Sequence, residues 1–428
     1  MFLRQVIKPN LSSKVVFSLR RSSTKPFSLT EDNVQFLNTK REGDNIDDNY
    51  SLIVDGIVNT RHAYRNARVS TIVNQLPAKN EAGKLALSGI DFSSNVEVQE
   101  AGGKISQDDF NTILESTRNY LSADKELFFE DLGLGASSSL RIGARVISDN
   151  PAHALIFRSL LINIPDRVTN HLARFNGWNL HSRFESQIEK VWDGNQYNFH
   201  NTNETPKKGE RPIVAYIGGN NNLVGLQFEQ IASESLIAGA NVIAGEKSSI
   251  RGIVNALTIA ATTLINSENP LSIALPSVVL SKNGKTTVVV GDVSDEFIAQ
   301  ASSNGLLYGA YANVISEIGV SALFNGAIVP SSQFKPYQPF NGFTSREPYP
   351  SVVSNDKFVK VLNPDNFISP ATSFVFIGSD STLSVDDATT KIVQLTGDES
   401  KSNLAKSLLS SAKITVVKSE NDLLSIFG

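Results

Sequence analysis

Short runs of apolar residues alternate with longer amphipathic stretches along most of this 428-residue chain. A short apolar run bounded by turn-forming residues is typical of a buried strand, whereas apolar positions that recur every three to four residues indicate a helix. In the first half we expect helices around 51–75, over Gln107–Leu121 and from Asn150-Pro151 onward. Strands are predicted over Gly83–Leu87, Leu127–Asp131, Arg141–Ser148 and Ile213–Ile217.

The second half of the chain shows the same alternation and then becomes richer in strands. An element over Phe228–Ala238 precedes a long helix from Ser248 to about Ile265. The later strands are predicted over Ser272–Leu275, Val278–Leu280, Thr286–Val290 and Ser373–Gly378. A Gly/Ala-rich stretch near 305–328 predicts a pair of helices. The Pro-dense stretch 331–350 predicts an irregular connection, and the C-terminal stretch is predicted to be helical. This mixture predicts an α/β fold with mixed sheets.

The letters Gly284-Lys285-Thr286-Thr287 suggest a phosphate-binding loop, but their position argues against one. In such a loop a strand comes first, and the glycine-rich turn then leads into a helix. Here the four residues precede the apolar run Val288–Val290, and Asn-Gly between two extended runs is a strong signal for a hairpin turn. The segment that follows carries Asp292, Asp295 and Glu296, which suit the start of a helix but would repel a triphosphate.

The N-terminal segment differs in composition from the rest of the chain. Residues 1–27 contain six Lys or Arg side chains, many Ser residues and no acid, which is typical of a mitochondrial transit peptide; a disordered basic tail is the alternative. Residues 28–50 are polar and charged and indicate a linker. We therefore expect a soluble protein of the mitochondrial matrix.

Composition excludes several classes of function. The chain has a net charge of −4, and residues 1–27 contribute six positive charges. The rest of the chain therefore has a net charge of −10. Such an acidic protein is a poor candidate for nucleic-acid binding. No apolar run approaches the roughly 18 residues of a membrane span. The absence of cysteine excludes disulfides, thiolate metal ligands and a cysteine nucleophile, and the five histidines show no metal-binding motif. We expect no metal, no cofactor and no transmembrane segment.

The most concentrated polar feature is Asp131 followed by Arg141 and Arg145. Two arginines four residues apart on a strand point to the same side of the sheet. They form a candidate residual anion-binding site, or they pair with Asp131 and Asp149 inside the fold. The residue types alone leave both interpretations open.

The stretch 127–165 resembles a segment of the ATP-dependent phosphoenolpyruvate carboxykinase family, in which a strand, an Asp, a Gly-Ala turn and two arginines four apart lead into a helix. The residues in register are Asp131, Gly135, Ala136, Arg141, Arg145 and Ile147. Further matching stretches are 83–92, 236–246, Ser277 to Gly291 and Ser373 to Asp380, so that the resemblance runs from roughly 50 to 390. It implies a two-domain carboxykinase-like scaffold with mixed sheets.

The positions that this resemblance aligns with the family's active site lack its chemistry. The family's substrate-binding Arg falls on Asn95, its metal-binding His near Leu275, and its metal-binding Lys among Lys247, Ser248 and Ser249. Its phosphate-loop Lys and Thr fall on Phe297 and Ile298, which replaces a cation and a magnesium-binding hydroxyl by apolar groups. Because phosphoryl transfer depends on positioning and charge neutralisation, the resemblance with these losses predicts no catalytic and no cofactor-binding residues.

The resemblance also divides the chain and suggests its role. It implies a carboxykinase-like N-terminal domain over 51–265 and a shortened, degenerate nucleotide-binding-like domain over 266–428. The leading hypothesis is a mitochondrial carboxykinase-like protein without carboxykinase activity that acts on protein partners as a binding, assembly or regulatory subunit. One alternative is a repurposed enzyme that holds an anionic metabolite or nucleotide in the old cleft through Arg141 and Arg145. Another is a structural subunit of a large mitochondrial complex.

Overall fold

A computed structural model describes the fold over much of the chain. The described residues are 52, 55–58, 63–67, 69–76, 90–93, 96–123, 125–135, 142–162, 213–231, 236–291, 293–330, 358–361, 367–378, 382–420 and 422–423. The predictions for 1–27, 28–50, 83–87 and 331–350 lie outside them, as do Asn95 and Arg141.

Seven strands of the described chain form a first, mixed sheet. In chain order they are β1 (Ala63–Arg65), β2 (Gln99–Glu100), β3 (Leu127–Leu134), β4 (Ile142–Ser148), β5 (Ile213–Ile217), β6 (Val224–Ile231) and β7 (Leu236–Ala244). Their order across the sheet is β1-β3-β4-β5-β7-β6-β2. The pairs β3–β4 and β6–β7 are antiparallel, and the other neighbours are parallel. Every residue of β3 and β5 is buried, including Glu130 and Asp131 of β3. Burial on both faces explains the continuous apolar run of β5.

The later strands form a second mixed sheet and a separate hairpin-like pair. The strands are β8 (Ile273–Lys282), β9 (Lys285–Val290), β10 (Leu307–Gly309), β11 (Ala312–Ser316), β12 (Gly319–Ala322), β13 (Ala327–Pro330), β14 (Phe358–Val361), β15 (Phe367–Ile368), β16 (Ala371–Ile377) and β17 (Lys413–Val417). The sheet order is β15-β12-β11-β8-β9-β16-β17, with β10 also paired to β8, and β13 pairs with β14. The strands β9, β16 and β17 run parallel.

Helices cover the sheets, and five of the seven described α-helices begin at a residue whose side chain caps the helix. They are α1 (Val69–Gln75), α2 (Gln107–Ser122), α3 (Pro151–Leu160), α4 (Ile250–Glu268), α5 (Asp295–Ser303), α6 (Val385–Thr396) and α7 (Ser402–Ser410). The predicted cap at Asn150 is confirmed, because its side chain accepts a hydrogen bond from the Ala152 N–H at 2.9 Å. None of the described helices combines the length and the hydropathy that a membrane crossing requires.

Helix α4 joins the two sheets. It contacts β6 and β7 of the first sheet and β8 and β11 of the second, and one cluster of buried apolar side chains extends across both. Apolar residues surround most of its circumference, which is typical of a helix buried between two layers. The predicted domain division at 265/266 falls within this helix and stays a prediction. The position of α4 brings its N-terminal end towards the start of α5.

Most local predictions are confirmed by the structure. The α/β class with mixed sheets is correct, and Asn283-Gly284 forms the predicted turn between β8 and β9. Both turn residues have positive φ, 54° and 75°, as the favoured two-residue hairpin turn requires. The strands predicted over 272–275 and 278–280 form one continuous strand, β8.

Two helix predictions are wrong. The stretch 305–328 forms strands β10 to β12 and the start of β13. Its small residues allow close packing: a Cβ atom at Gly309 would lie 1.8 Å from the Asn313 side-chain oxygen. The stretch 51–75 is helical over Val69–Gln75 but includes strand β1, which pairs with β3. In both places tertiary packing outweighs local helix propensity.

Candidate functional site

A pocket lies where the N-terminal ends of α4 and α5 meet. The space it encloses is about 10 Å³, enough for one water molecule. Its lining residues are Phe92, Leu160, Ile250, Arg251, Val254, Asp295, Tyr311 and Ile328. Charged groups of both signs therefore face a largely apolar wall, in a space well below the size of a usual small-molecule site.

Arg251 contributes the positive charge of this pocket. It follows the first residue of α4, and Ser249 accepts a hydrogen bond from its N–H at 3.1 Å as the helix cap. The guanidinium carbon lies 4.0 Å from the centre of the Tyr311 ring, a cation–π contact. Its Nη2 lies 3.5 Å from Asp295 Oδ1 without hydrogen-bond geometry, and its buried Nη1 has no hydrogen-bond partner among the described residues. The ion pair is therefore loose, and one donor is unused.

Asp295 supplies the negative charge. It is the first residue of α5, and its side chain is 10% exposed. Burial raises the pKa of Asp295, while Arg251 opposes this shift and Glu296 adds to it. The buried Oδ1 accepts no hydrogen bond from the described part of the chain. An unused acceptor thus lies beside the unused donor of Arg251.

Tyr311 presents its ring to the pocket but not its hydroxyl. The hydroxyl donates to the Ile328 carbonyl at 3.1 Å and accepts from the Ile328 N–H at 2.9 Å. Burial raises the pKa of Tyr311 to about 12, so the phenol remains neutral at physiological pH. Because this hydroxyl is already hydrogen-bonded to Ile328 on β13, Tyr311 contributes only its ring to the pocket, and Arg251 packs against that ring.

A carboxylate from the C-terminal segment stands at the start of α5. Ser294 caps the helix by accepting a hydrogen bond from the Phe297 N–H at 3.1 Å. The Ser294 N–H and hydroxyl both donate to the Glu420 carboxylate, at 2.9 and 2.5 Å. Negative charge is favourable here because the backbone N–H groups of a helix start carry partial positive charge. Glu420 thereby ties the segment after β17 to α5.

Replacement of Ser294 by alanine is expected to destabilise the protein by about 2 kcal/mol, since it removes a helix cap and a charge-assisted hydrogen bond to Glu420. Urea unfolding of parent and variant measures the loss. Ser384→Ala is the matched control: Ser384 caps α6 and its hydroxyl donates only to the exposed Asp387 carboxylate of the same helix, so the variant should cost about 1 kcal/mol. Equal losses in the two variants would contradict a stabilising contact with Glu420.

The structure places Arg145 inside an ion-pair cluster. Its Nε and Nη2 donate to the two carboxylate oxygens of Asp131, at 2.6 and 2.8 Å, and its Nη1 donates to Asp55 at 3.0 Å. The side chain is 1% exposed. For Arg145, the structure shows pairing with Asp131 inside the fold, and Asp55 is a second partner. Asp149 does not contribute to this cluster, because it pairs with Lys125 at 2.7 Å. An anion at Arg145 would have to displace a carboxylate.

The positions aligned with the family's catalytic groups have structural roles here. Phe297 and Ile298 point from α5 into the core, 3% and 1% exposed, and Leu275 on β8 is completely buried. Ser248 accepts a hydrogen bond from the Gly245 N–H at 2.9 Å, and Ser249 caps α4. In the described part of the chain no three His, Asp or Glu side chains come together in a way that could hold a metal ion.

The sequence analysis did not identify Arg251, Tyr311 or Glu420 as site residues. They come from three separate elements, and no local motif links them. Asp295 was recognised only as part of an acidic helix start. A comparison with protein-family models found no match, and a comparison with curated proteins likewise found none.

Proposed function

We propose that this chain is a carboxykinase-like protein of the mitochondrial matrix without carboxykinase activity, and that it acts as a binding, assembly or regulatory subunit. The observation that carries the proposal is the start of α5, which the resemblance aligns with the kinase loop. There the helix is capped by Ser294 and begins with Asp295 and Glu296, followed by buried apolar side chains.

The electrostatics of this helix start support a role other than phosphoryl transfer. A kinase loop needs a cation and a hydroxyl to bind phosphates and magnesium. Helix α5 contains neither Lys nor Arg, and the neighbouring Arg251 is already paired with Asp295. The Glu420 carboxylate occupies the capping N–H and hydroxyl of Ser294. A triphosphate would meet three carboxylates here.

ATP with magnesium or manganese is therefore expected to leave the thermal unfolding temperature of the purified chain unchanged. A ligand at about 100 times its dissociation constant would add about 2.7 kcal/mol to the stability of a binding protein. Metal ions without nucleotide serve as the control, because they show any shift due to the cation alone. A nucleotide-dependent rise in the unfolding temperature would overturn the proposal and favour an enzyme.

The alternative of an anionic metabolite held by Arg141 and Arg145 has weaker support. The guanidinium of Arg145 already donates to Asp131 and Asp55, at distances of 2.6 to 3.0 Å. A buried, fully paired arginine of this type stabilises a fold and offers no free donor to a ligand. The third hypothesis, a structural subunit of a large mitochondrial complex, predicts comigration with that complex on a native gel.

A further inference from the structure

We propose that a single water molecule binds in the pocket between α4 and α5 and bridges Arg251 to Asp295. The inference depends on the contacts of these two residues and of Tyr311, and it is independent of the carboxykinase resemblance. It assigns a ligand to a site that has no part in the proposed non-catalytic function.

The pocket offers one donor and one acceptor to such a ligand. Arg251 Nη1 and Asp295 Oδ1 are both buried and lack a hydrogen-bond partner among the described residues. A buried polar atom without a partner is unfavourable, because it has lost its hydrogen bonds to bulk water. A water molecule both accepts and donates, so its oxygen accepts from Nη1 while one of its hydrogens is donated to Oδ1.

The geometry of the loose ion pair suits a bridge. Arg251 Nη2 lies 3.5 Å from Asp295 Oδ1 without hydrogen-bond geometry. Because Nη1 and Nη2 belong to one planar guanidinium, Nη1 also lies near this oxygen. A polar contact that is too long for a direct hydrogen bond is commonly completed by a water molecule between the two groups. This water joins the first turn of α4 to the first residue of α5.

The size and the lining of the pocket select one water and no organic ligand. The space is about 10 Å³. A cavity of roughly 10–15 Å³ with at least two polar partners is sufficient for one water molecule. Nη1 and Oδ1 are two such partners. The Tyr311 hydroxyl is already bonded to Ile328, and the other lining side chains are apolar.

The charge balance of the pocket favours water over a monatomic ion. Arg251 and Asp295 carry opposite charges, so the pair is close to neutral overall. A chloride ion would be attracted by Arg251 but repelled by Asp295, and a sodium ion would be repelled by Arg251. A neutral, dipolar molecule interacts favourably with both side chains.

A crystal structure of the purified full chain, at a resolution that shows ordered water, tests the assignment directly. One isolated density peak is expected within about 2.7–3.2 Å of both Arg251 Nη1 and Asp295 Oδ1. A second crystal soaked in sodium bromide distinguishes water from an anion, because bromide gives an anomalous signal. No anomalous peak is expected at this position.

Magnetic relaxation dispersion of the solvent water provides the test in solution, since its amplitude reports how many water molecules are held inside the protein. Arg251→Met removes the donor and is expected to lower the amplitude by the contribution of one water. Lys406→Met is the matched control, because Lys406 forms an exposed ion pair with Asp386 and does not line the pocket. Its amplitude should equal that of the parent. Circular dichroism establishes that each variant is folded before it is measured.

The proposal is overturned by a crystal structure without density between the two atoms, by a bromide peak there, or by an amplitude in folded Arg251→Met equal to that of the parent. The crystal experiment uses only the parent protein, so it decides the question even if Arg251→Met does not fold. These outcomes are separate from the nucleotide test. An ATP-dependent rise in thermal stability contradicts the non-catalytic function whether or not the water is found.

Discussion

Replacement of Arg145 by methionine is expected to lower the free energy of unfolding by about 3–5 kcal/mol, the usual loss when one partner of a buried ion pair is removed. The guanidinium lies opposite Asp131 in the antiparallel pair β3–β4 and binds it through two hydrogen bonds. It also reaches Asp55, close to the start of the described chain. Burial by itself lowers the pKa of Arg145, but Asp131 and Asp55 outweigh that effect and raise it. Without the cation, two buried carboxylates would remain.

Urea unfolding monitored by circular dichroism measures this loss. Lys406→Met is the control, because the Lys406–Asp386 ion pair is exposed, with 58% and 77% of the two side chains accessible. Removal of a pair at the surface should change stability by less than about 1 kcal/mol. If Arg145→Met were no more destabilising than Lys406→Met, the cluster would not stabilise the first sheet.

Acidification from pH 6.5 to about 4 is expected to remove about 3 kcal/mol of stability through His153 alone. His153 lies in the first turn of α3 and is completely buried. Its Nδ1 is 2.9 Å from the Ser148 hydroxyl, and its Nε2 has no hydrogen-bond partner among the described residues. Burial lowers the pKa of His153 from 6.5 to about 4, although Asp149 opposes the shift.

The sign follows from proton binding in the two states. Below pH 6.5 the unfolded chain protonates this imidazole, whereas the folded chain keeps it neutral down to about pH 4. The stabilisation is therefore complete above the unfolded pKa and is lost as the pH falls through this window.

The pH dependence of unfolding in parent and His153→Gln isolates this effect, because the carboxylates that titrate in the same range are common to both proteins. The parent is expected to lose about 3 kcal/mol more than the variant between pH 6.5 and 4. Parallel curves for the two proteins would show that His153 does not couple folding to protonation.

Local features of the fold were readable from the sequence, and long-range ones were not. The Asn283-Gly284 turn and the Asn150 cap each depend on neighbours within a few residues, so residue type was sufficient. The strands β10 and β11 depend on pairing with β8, and β12 and β13 depend on pairing with other strands, which a Gly/Ala-rich stretch does not reveal. Tertiary packing therefore reversed the local preference in that stretch.

The same distinction applies to the candidate site. Pairing of Arg145 with Asp131 was one of two interpretations left open by the sequence, and it was accessible because the two residues are close in sequence and lie on adjoining strands. The second partner, Asp55, is 90 residues away, and no pattern connects it to Arg145. The pocket was missed for a similar reason, because Arg251, Asp295 and Tyr311 meet only after α4 has packed between the two sheets.

The contact between Ser294 and Glu420 also constrains the order in which the molecule can assemble. A ribosome releases the N-terminal part of a chain first, so α5 emerges long before residue 420. Strand β16 likewise pairs with β9, and β17 with β16, only after most of the chain has been made. The second sheet and the capped start of α5 therefore complete late in synthesis, whereas β1 to β7 can pair earlier. Premature termination before β17 would leave β16 with an unpaired edge, which is a template for aggregation.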